Sequence, residues 1–354
     1  KTPVSAFLNS SYDGSFIAGL MELRYIQSLP VERIINYFES HGFTLKKPTA
    51  HKLMEKASSL FENLYKCIRQ TALSDPYKAA DETYYKILVP EKNSKGKGVR
   101  KGYLWVVVGI NTRMIYLLYD DGSRSEKVIL NELGGCKGII QSDGYSPYRK
   151  LESDAYPHIT RIPCLQHIKR KFIDCGEDEP DAKRIVELIN TLYQNEHKHK
   201  IGVDGWTVEQ NLVHRKKYAP DILGEIKDVL DDIEERGDLL PKSELKEAVT
   251  YLRNEWNAVV DIFNYGDTYL DNNIVERMNR YISLSRKNSL FFGSHKGAER
   301  GAILYTIALT CRMNKVNLFE YLTDVINRTA EWQPNTPLEK YRQLLPDRWE
   351  KAND

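Results

Sequence analysis

Long hydrophobic runs are missing from this 354-residue chain. The longest strongly apolar stretch, Trp105 to Ile110, is far too short to span a bilayer, so no membrane partner is expected. A charged-then-apolar secretory leader is also missing, although Lys1 is not an initiating residue and a longer parent protein is expected. Cysteine is sparse: Cys67, Cys136, Cys164, Cys175 and Cys311 form an odd, scattered set of five without a CxxC pair. That excludes a disulfide framework or a structural zinc knuckle and fits a reducing cytosol. Neither charge sign dominates. Lys and Arg total 51 against 49 Asp and Glu, net +2, so any nucleic-acid argument must come from local clustering. No internal repeat or low-complexity tract is visible. What is present is 41% hydrophobic content, enough for a real core in about two domains.

The first 80 residues read as helical, over Met21–Gln27, Val31–Ser40 and a long stretch from Thr49 to about Thr71, with Pro30 and Pro48 as helix-start residues. The pair around His41-Gly42-Phe43 fits a helix-turn-helix. It fits equally a plain helical hairpin packing Ile34, Ile35, Phe38, Leu53 and Leu60. From Asp81 the period changes. Tyr84–Val89, Tyr103–Ile110 and Met114–Tyr119 are β-rich and separated by a Lys/Gly loop and the turn Asn111-Thr112-Arg113, which predicts three antiparallel strands. A helix over Ser125–Leu133 with Ser125 as cap, a strand over Gly138–Ser142 and another over His158–Ile162 complete an α/β sheet of mixed strand pattern. Residues 167–262 are almost entirely helical in pattern. Asp221–Asp238 carries eight acids, best read as a solvated helix face. Helices over Asn273–Leu284, Gly297–Asn314 and Leu318–Thr329 close the chain.

Three carboxylates occupy the places that matter for such a sheet: Asp81 at the opening of the first strand, Asp143 at the end of the fourth, and Glu276 on a late helix. Clustered acids need cations to neutralise them, and hard Mg²⁺ or Mn²⁺ ions want oxygen ligands. Two such ions could serve phosphoryl transfer by activating an attacking oxygen and stabilising a leaving one. That chemistry needs no protein nucleophile, so the lack of a Ser/His or Cys/His triad is no objection.

The local contexts are more specific. Ala80-Asp81-Glu82-Thr83, Ser142-Asp143-Gly144-Tyr145 followed by Tyr148, Cys164-Leu165-Gln166-His167 with Arg170-Lys171-Phe172, and Asp271-Asn272-Asn273-Ile274-Val275-Glu276-Arg277 occur in order. They continue through Arg286-Lys287-Asn288, Phe292-Gly293-Ser294 and Glu299-Arg300, after a helical lead-in Leu29-Pro30 to Tyr37. Over nearly its whole length the sequence resembles transposases of the insertion sequence 66 family, a bacterial DDE group. The resemblance implies an RNase H-like mixed-sheet core interrupted by an α-helical insertion, with a helical N-terminal region and a helical C-terminal part. The implied divisions are 1–78, 79–175 and 266–354 for the N-terminal region and the two core parts, and 176–265 for the insertion.

In that scheme Asp81, Asp143 and Glu276 are the catalytic ligands of two Mg²⁺ or Mn²⁺ ions. Asp271, the rival third acid, yields to Glu276 because Glu276 follows Asn272 and Asn273 within the family block. Two departures stand out. Tyr84 replaces the family's usual proline, and Leu165 and Gln166 replace its usual Trp and Ala. The Cys-rich zinc-binding region expected upstream in full-length members is not in this sequence, which bears on recognition of element ends.

Cys164 and His167 lie i, i+3 and are supporting residues. Three roles fit them: locking the insertion against the core, binding metal, or bringing His167 to the scissile phosphate. Arg277, Arg280, Arg286, Lys287, Lys296 and Arg300 face only Glu299 across 277–300, and with Phe291, Phe292 and Gly293 they suggest a turn presenting cations to a phosphate backbone. Ordinary surface charge around a buried Phe pair is the alternative. Lys92, Lys95, Lys97, Arg100 and Lys101 fill the first strand connection, as a DNA clamp or as a soluble hairpin tip. The resemblance implies cleavage at transposon ends followed by joining to target DNA, with a homo-oligomer, at least a dimer on DNA, in the bacterial cytoplasm at the nucleoid. The alternatives are a truncated or domesticated DNA-binding protein without catalysis, and a non-transposing RNase H-like nuclease.

Overall fold

The computed structural model describes residues 5–7, 10–92, 96, 98–237, 239–330, 332–333 and 335–351. Contacts among them gather into two compact units, one drawn from 1–137 and 274–354, the other from 138–273. The chain opens with helices α1 (Gly14–Met21, running into a π-helical turn Glu22–Ile26), α2 (Val31–Ser40), α3 (Lys47–Leu60) and α4 (Glu62–Ser74). Strands β1 (Tyr77–Leu88), β2 (Val99–Gly109) and β3 (Met114–Leu118) and helix α5 (Glu126–Leu133) follow. The second unit holds β4 (Gly138–Ser142), α6 (Ser146–Arg149), β5 (Ile159–Pro163), α7 (Leu165–Asp174), α8 (Pro180–Glu196), α9 (Val208–Arg236) and α10 (Glu244–Ile262). The chain ends with α11 (Asn273–Asn288), β6 (Phe291–Phe292), α12 (His295–Met313), α13 (Leu318–Thr329) and α14 (Leu338–Gln343). No described helix is long and apolar enough to cross a membrane.

The first unit is built on a mixed sheet. β1 pairs antiparallel with β2, β2 antiparallel with β3, and β6 adds a short parallel rung to β1. Buried Asp75 fixes the start of this meander. Its Oδ1 accepts from Tyr77 N at 2.9 Å and Asn111 Nδ2 at 3.0 Å, and its Oδ2 accepts from Thr112 N at 2.6 Å, so the β2–β3 turn is tied to the foot of β1. Beside β3, two threonines of α12 satisfy backbone groups that β2 does not reach. Thr306 Oγ1 accepts from Leu117 N at 2.9 Å, and Thr310 Oγ1 donates to Ile115 O at 2.8 Å. A strand covered in this way offers no open template for pairing with another chain.

In the second unit β4 and β5 pair in parallel, from Gly138 opposite Ile159 to Ser142 opposite Pro163. Helices α7 to α10 pack beside them, with Ile185, Leu192, Leu230, Val249 and Ile262 among the buried residues. The acidic face of α9 is solvated as expected. Its Glu225 pairs with Arg184 and its Glu234 with Arg253, while Asp238 lies outside the described residues.

Several local expectations shift. The helix expected over Thr49–Thr71 breaks at fully buried Phe61 into α3 and α4. Ser125 is the N-cap residue of α5, but its side chain makes no cap hydrogen bond. Ile34 and Leu53 are buried at the α2–α3 pair, with Ile35, Phe38 and Leu60 half-buried. β1 begins seven residues before Tyr84, because its ladder with β2 runs unbroken from Lys78 opposite Gly109 to Leu88 opposite Val99. Pairing thus carries through Ala79-Ala80-Asp81, residues of poor strand propensity. Asp81 lies inside the strand, not at its opening.

Candidate active site

Strand alternation puts Asp81, Thr83, Tyr85 and Ile87 on one face of β1 and Glu82, Tyr84 and Lys86 on the other. Tyr85 and Ile87 are buried, and Tyr85 donates its hydroxyl to Ser289 O at 2.5 Å, so the Asp81 face is the one that receives the segment around α11. Asn279 of α11 donates from Nδ2 to Asp81 Oδ2 at 2.7 Å, and Asp81 Oδ1 accepts from Glu82 N at 2.8 Å. Glu276 lies one turn before Asn279 in the first turn of α11, at i, i+3 and therefore on the same helical face. The helix N-terminus favours a carboxylate there. The first unit thus brings the helix face of Glu276 onto Asp81.

The first unit's own contributions to that face are oxygens: the two carboxylates and Asn279 Oδ1, a buried atom with no hydrogen-bond partner. Such a set suits Mg²⁺ or Mn²⁺.

In the second unit Asp143 follows directly on β4 and its Oδ1 accepts from Tyr145 N at 3.1 Å. Its backbone is clamped. Arg161, 1% exposed, donates from Nη2 to Asp143 O at 2.8 Å and from Nε to Ser142 Oγ at 3.1 Å, and it pairs with Glu255 and Glu152. Burial pushes the Glu255 carboxyl above the usual carboxylate range, against the opposing pull of Arg161. From the same helix as Glu255, Tyr251 accepts from Gly144 N at 2.8 Å. A Cβ on Gly144 would come within 2.6 Å of the Tyr251 ring, so only glycine fits beneath it.

Cys164 is the N-cap residue of α7, and its Sγ accepts from Asn272 N at 3.2 Å; beside it Leu165 N donates to Leu270 O at 2.9 Å. Burial pushes the Cys164 thiol up to about 12. Through the contacts to Asn272 N and Leu270 O, Cys164 and Leu165 hold the 270–272 segment against the start of α7. His167 lies in the first turn of α7 and donates its backbone N–H to Cys164 O at 3.1 Å. Asp271 accepts from Asn273 N at 3.1 Å, a turn-forming contact at the start of α11.

The candidate DNA-contacting cations separate. Arg277, Arg280, Lys287, Lys296, Arg100 and Lys101 are exposed. Arg286 is half-buried, donates from Nη1 to Tyr84 O and lies 4.0 Å over the Tyr84 ring, with no carboxylate partner among the described residues, whereas Arg300 pairs with Glu55 at 3.0 Å. Lys95 and Lys97 lie outside the described residues, and Lys92 is exposed. The buried Phe pair of the alternative reading splits, with Phe292 at 7% and Phe291 at 46% exposure, because β6 gives them opposite faces. All five cysteines are free thiols.

The sequence reasoning missed Asn279, Arg161, Tyr251 and Glu255. Asn279 had a usable signal, a polar side chain one turn after Glu276. The other three had none, because their meeting depends on β5 and α10 folding onto the end of β4.

An α/β protein with acidic side chains placed on a strand, at a strand end and on a helix is a class that includes many phosphoryl-transfer enzymes. A profile described as the transposase IS66 family matches residues 9–300, and the chain belongs to that family. Three proteins of Sinorhizobium fredii are similar to it. The uncharacterised protein y4jD is 25% identical over 346 residues, covering 94% of this chain and 65% of its own length. The uncharacterised protein y4hP is 25% identical over 347 residues, 92% of this chain and 60% of its own. The uncharacterised protein y4qI is 29% identical over 275 residues, 73% and 49% respectively. The chain therefore spans less than two thirds of the length of each.

Proposed function

We propose that this chain is the catalytic region of a DNA transposase, cutting strands at the ends of an insertion sequence and joining them to target DNA by metal-dependent phosphoryl transfer. In this reading Asp81, Asp143 and Glu276 hold two Mg²⁺ or Mn²⁺ ions. The core is RNase H-like, formed by 79–175 and 266–354, interrupted by a helical insertion over 176–265 and preceded by the helical region 1–78. The ions would supply activation of the attacking oxygen and stabilisation of the leaving one. The chain's own part is to place oxygen ligands: Asn279 orients the Asp81 carboxylate, and the Arg161 clamp sets the backbone that carries Asp143.

The observation that carries the proposal is the hydrogen bond from Asn279 to Asp81, which docks the Glu276 face of α11 on the strand bearing Asp81. Family membership adds the reaction class. DNA is the partner, bound as a homo-oligomer of at least two copies, in the bacterial cytoplasm at the nucleoid. An assay with paired element ends and Mg²⁺ tests it, with cleaved 3′ ends and joined products expected. DNA binding without any metal-dependent product would contradict it, and cleavage that never leads to joining would make the protein a nuclease.

A further inference from the structure

The reverse face of the strand that carries Asp81 has a feature the proposed chemistry does not use. The β1–β2 register sets Tyr84 directly opposite Tyr103 and Lys86 directly opposite Lys101, so all four side chains share one face. Lys101 Nζ lies 4.2 Å from the Tyr84 ring centroid and 5.1 Å from that of Tyr103. Arg286 reaches from α11 to 4.0 Å over Tyr84, and Arg124 lies 5.1 Å over Tyr103. The result is a row of alternating cation and ring: Arg286, Tyr84, Lys101, Tyr103, Arg124. Arg100 does not join it. Its register partner is buried Ile87, which places it on the opposite face.

Charge along this row is unbalanced. Arg124 pairs with Glu82, whereas Lys86, Lys101 and Arg286 have no carboxylate partner among the described residues. Like charges directly opposite one another on neighbouring strands repel, and Lys86 and Lys101 are both exposed. The hairpin therefore carries a built-in repulsion that a polyanion relieves. Rings beneath the cations hold them in line by attraction to the ring face, without neutralising them.

We propose that this row is a tracking surface for the backbone of a DNA strand, in which Arg286, Lys101 and Lys86 take phosphates and Tyr84 and Tyr103 keep the cations aligned. Arginine offers a phosphate a planar pair of donors and lysine a point charge, so the row grips without reading sequence. The inference rests on the reading that the protein acts on DNA, and adds a holding surface distinct from the carboxylates.

The test is binding of the full chain to a labelled duplex of arbitrary sequence across a salt series. Removing one cation that neutralises a phosphate should lower the slope of log affinity against log salt by about 0.9. The double variant Lys86→Gln/Lys101→Gln is expected to lower it by about twice that. Lys101→Arg should keep the wild-type slope, as should Lys183→Gln at an exposed position of α8. Tyr84→Leu/Tyr103→Leu should weaken binding at every salt concentration. Removing the repelling pair should leave the melting temperature no lower than wild type. If the double variant does not fold, Lys86→Gln alone should still lower the slope by about 0.9. An unchanged slope in a folded lysine variant overturns this inference and leaves the transposase reading standing; a wild-type chain that binds no DNA overturns both.

Discussion

In the first unit the carboxylate of Asp81 is gripped by a distant helix as well as locally, one oxygen by Asn279 and the other by the Glu82 N–H, whereas in the second unit the Asp143 carboxylate accepts locally from Tyr145 N and the long-range hold is on its backbone, by Arg161 and Tyr251. The long-range contact of the first arrangement is a neutral amide on a helix. The second is wired into a buried ion-pair network that also holds Glu255 and Glu152. A ligand positioned by its side chain can be detuned without unfolding anything, but one positioned by its backbone can be moved only by disturbing the unit around it. Chemistry and stability should therefore separate in the first unit and move together in the second.

The largest expected effect does not distinguish the two units. Asp81→Asn, Asp143→Asn and Glu276→Gln should each abolish metal-dependent cleavage and joining while DNA binding persists, and full activity in any of them removes that residue from the site. The comparison sharpens with Arg161→Met. It removes the closer of two arginines from Glu255, whose side chain is 1% exposed, and leaves only Arg149 at 3.9 Å; loss of one member of a buried pair costs about 3–5 kcal/mol. Urea unfolding should show that loss, and Arg161→Met/Glu255→Met should recover much of it, as paired apolar replacements often do. Asn279→Leu should instead leave the urea midpoint nearly unchanged while lowering activity or metal affinity about 10- to 100-fold, the usual cost of losing a group that orients a ligand. A drop in stability matching that of Arg161→Met would break the distinction.

The smallest effect concerns pH and the second unit. Burial raises the Glu196 carboxyl, but hydrogen bonds and charge from Arg215, with help from Tyr218 and Asn211, outweigh it and hold Glu196 below its ordinary value. A carboxylate depressed on folding stabilises above its unfolded pKa, and that contribution is lost as pH falls through the folded one. Acid titration monitored by circular dichroism should therefore show Glu196→Gln less sensitive to the acid side than the wild type.

How far the sequence foretold these arrangements depended on whether a signal was local. Val31–Ser40, Gly138–Ser142 and Leu318–Thr329 match their elements end to end, because Pro30 precedes the first, a short apolar run marks the second and helical periodicity the third. The start of β1 was hidden, since Ala79-Ala80-Asp81 becomes strand by pairing with β2 and not by propensity. The three proposed carboxylates were singled out by their flanking motifs. The groups that position them were less so: Arg161 and Glu255 come together only through long-range contact across the second unit. Tyr84, noticed as a departure from the family's proline, turns out to be the ring beneath both Lys101 and Arg286.

The central claim is that Asp81, Asp143 and Glu276 serve one pair of divalent ions, and counting Mn²⁺ bound to the DNA-loaded protein by electron paramagnetic resonance tests it most directly. The account predicts two ions per wild-type chain and a loss of occupancy in Asp81→Asn, Asp143→Asn and Glu276→Gln alike. Unchanged Mn²⁺ stoichiometry and affinity in any one of the three variants would contradict it.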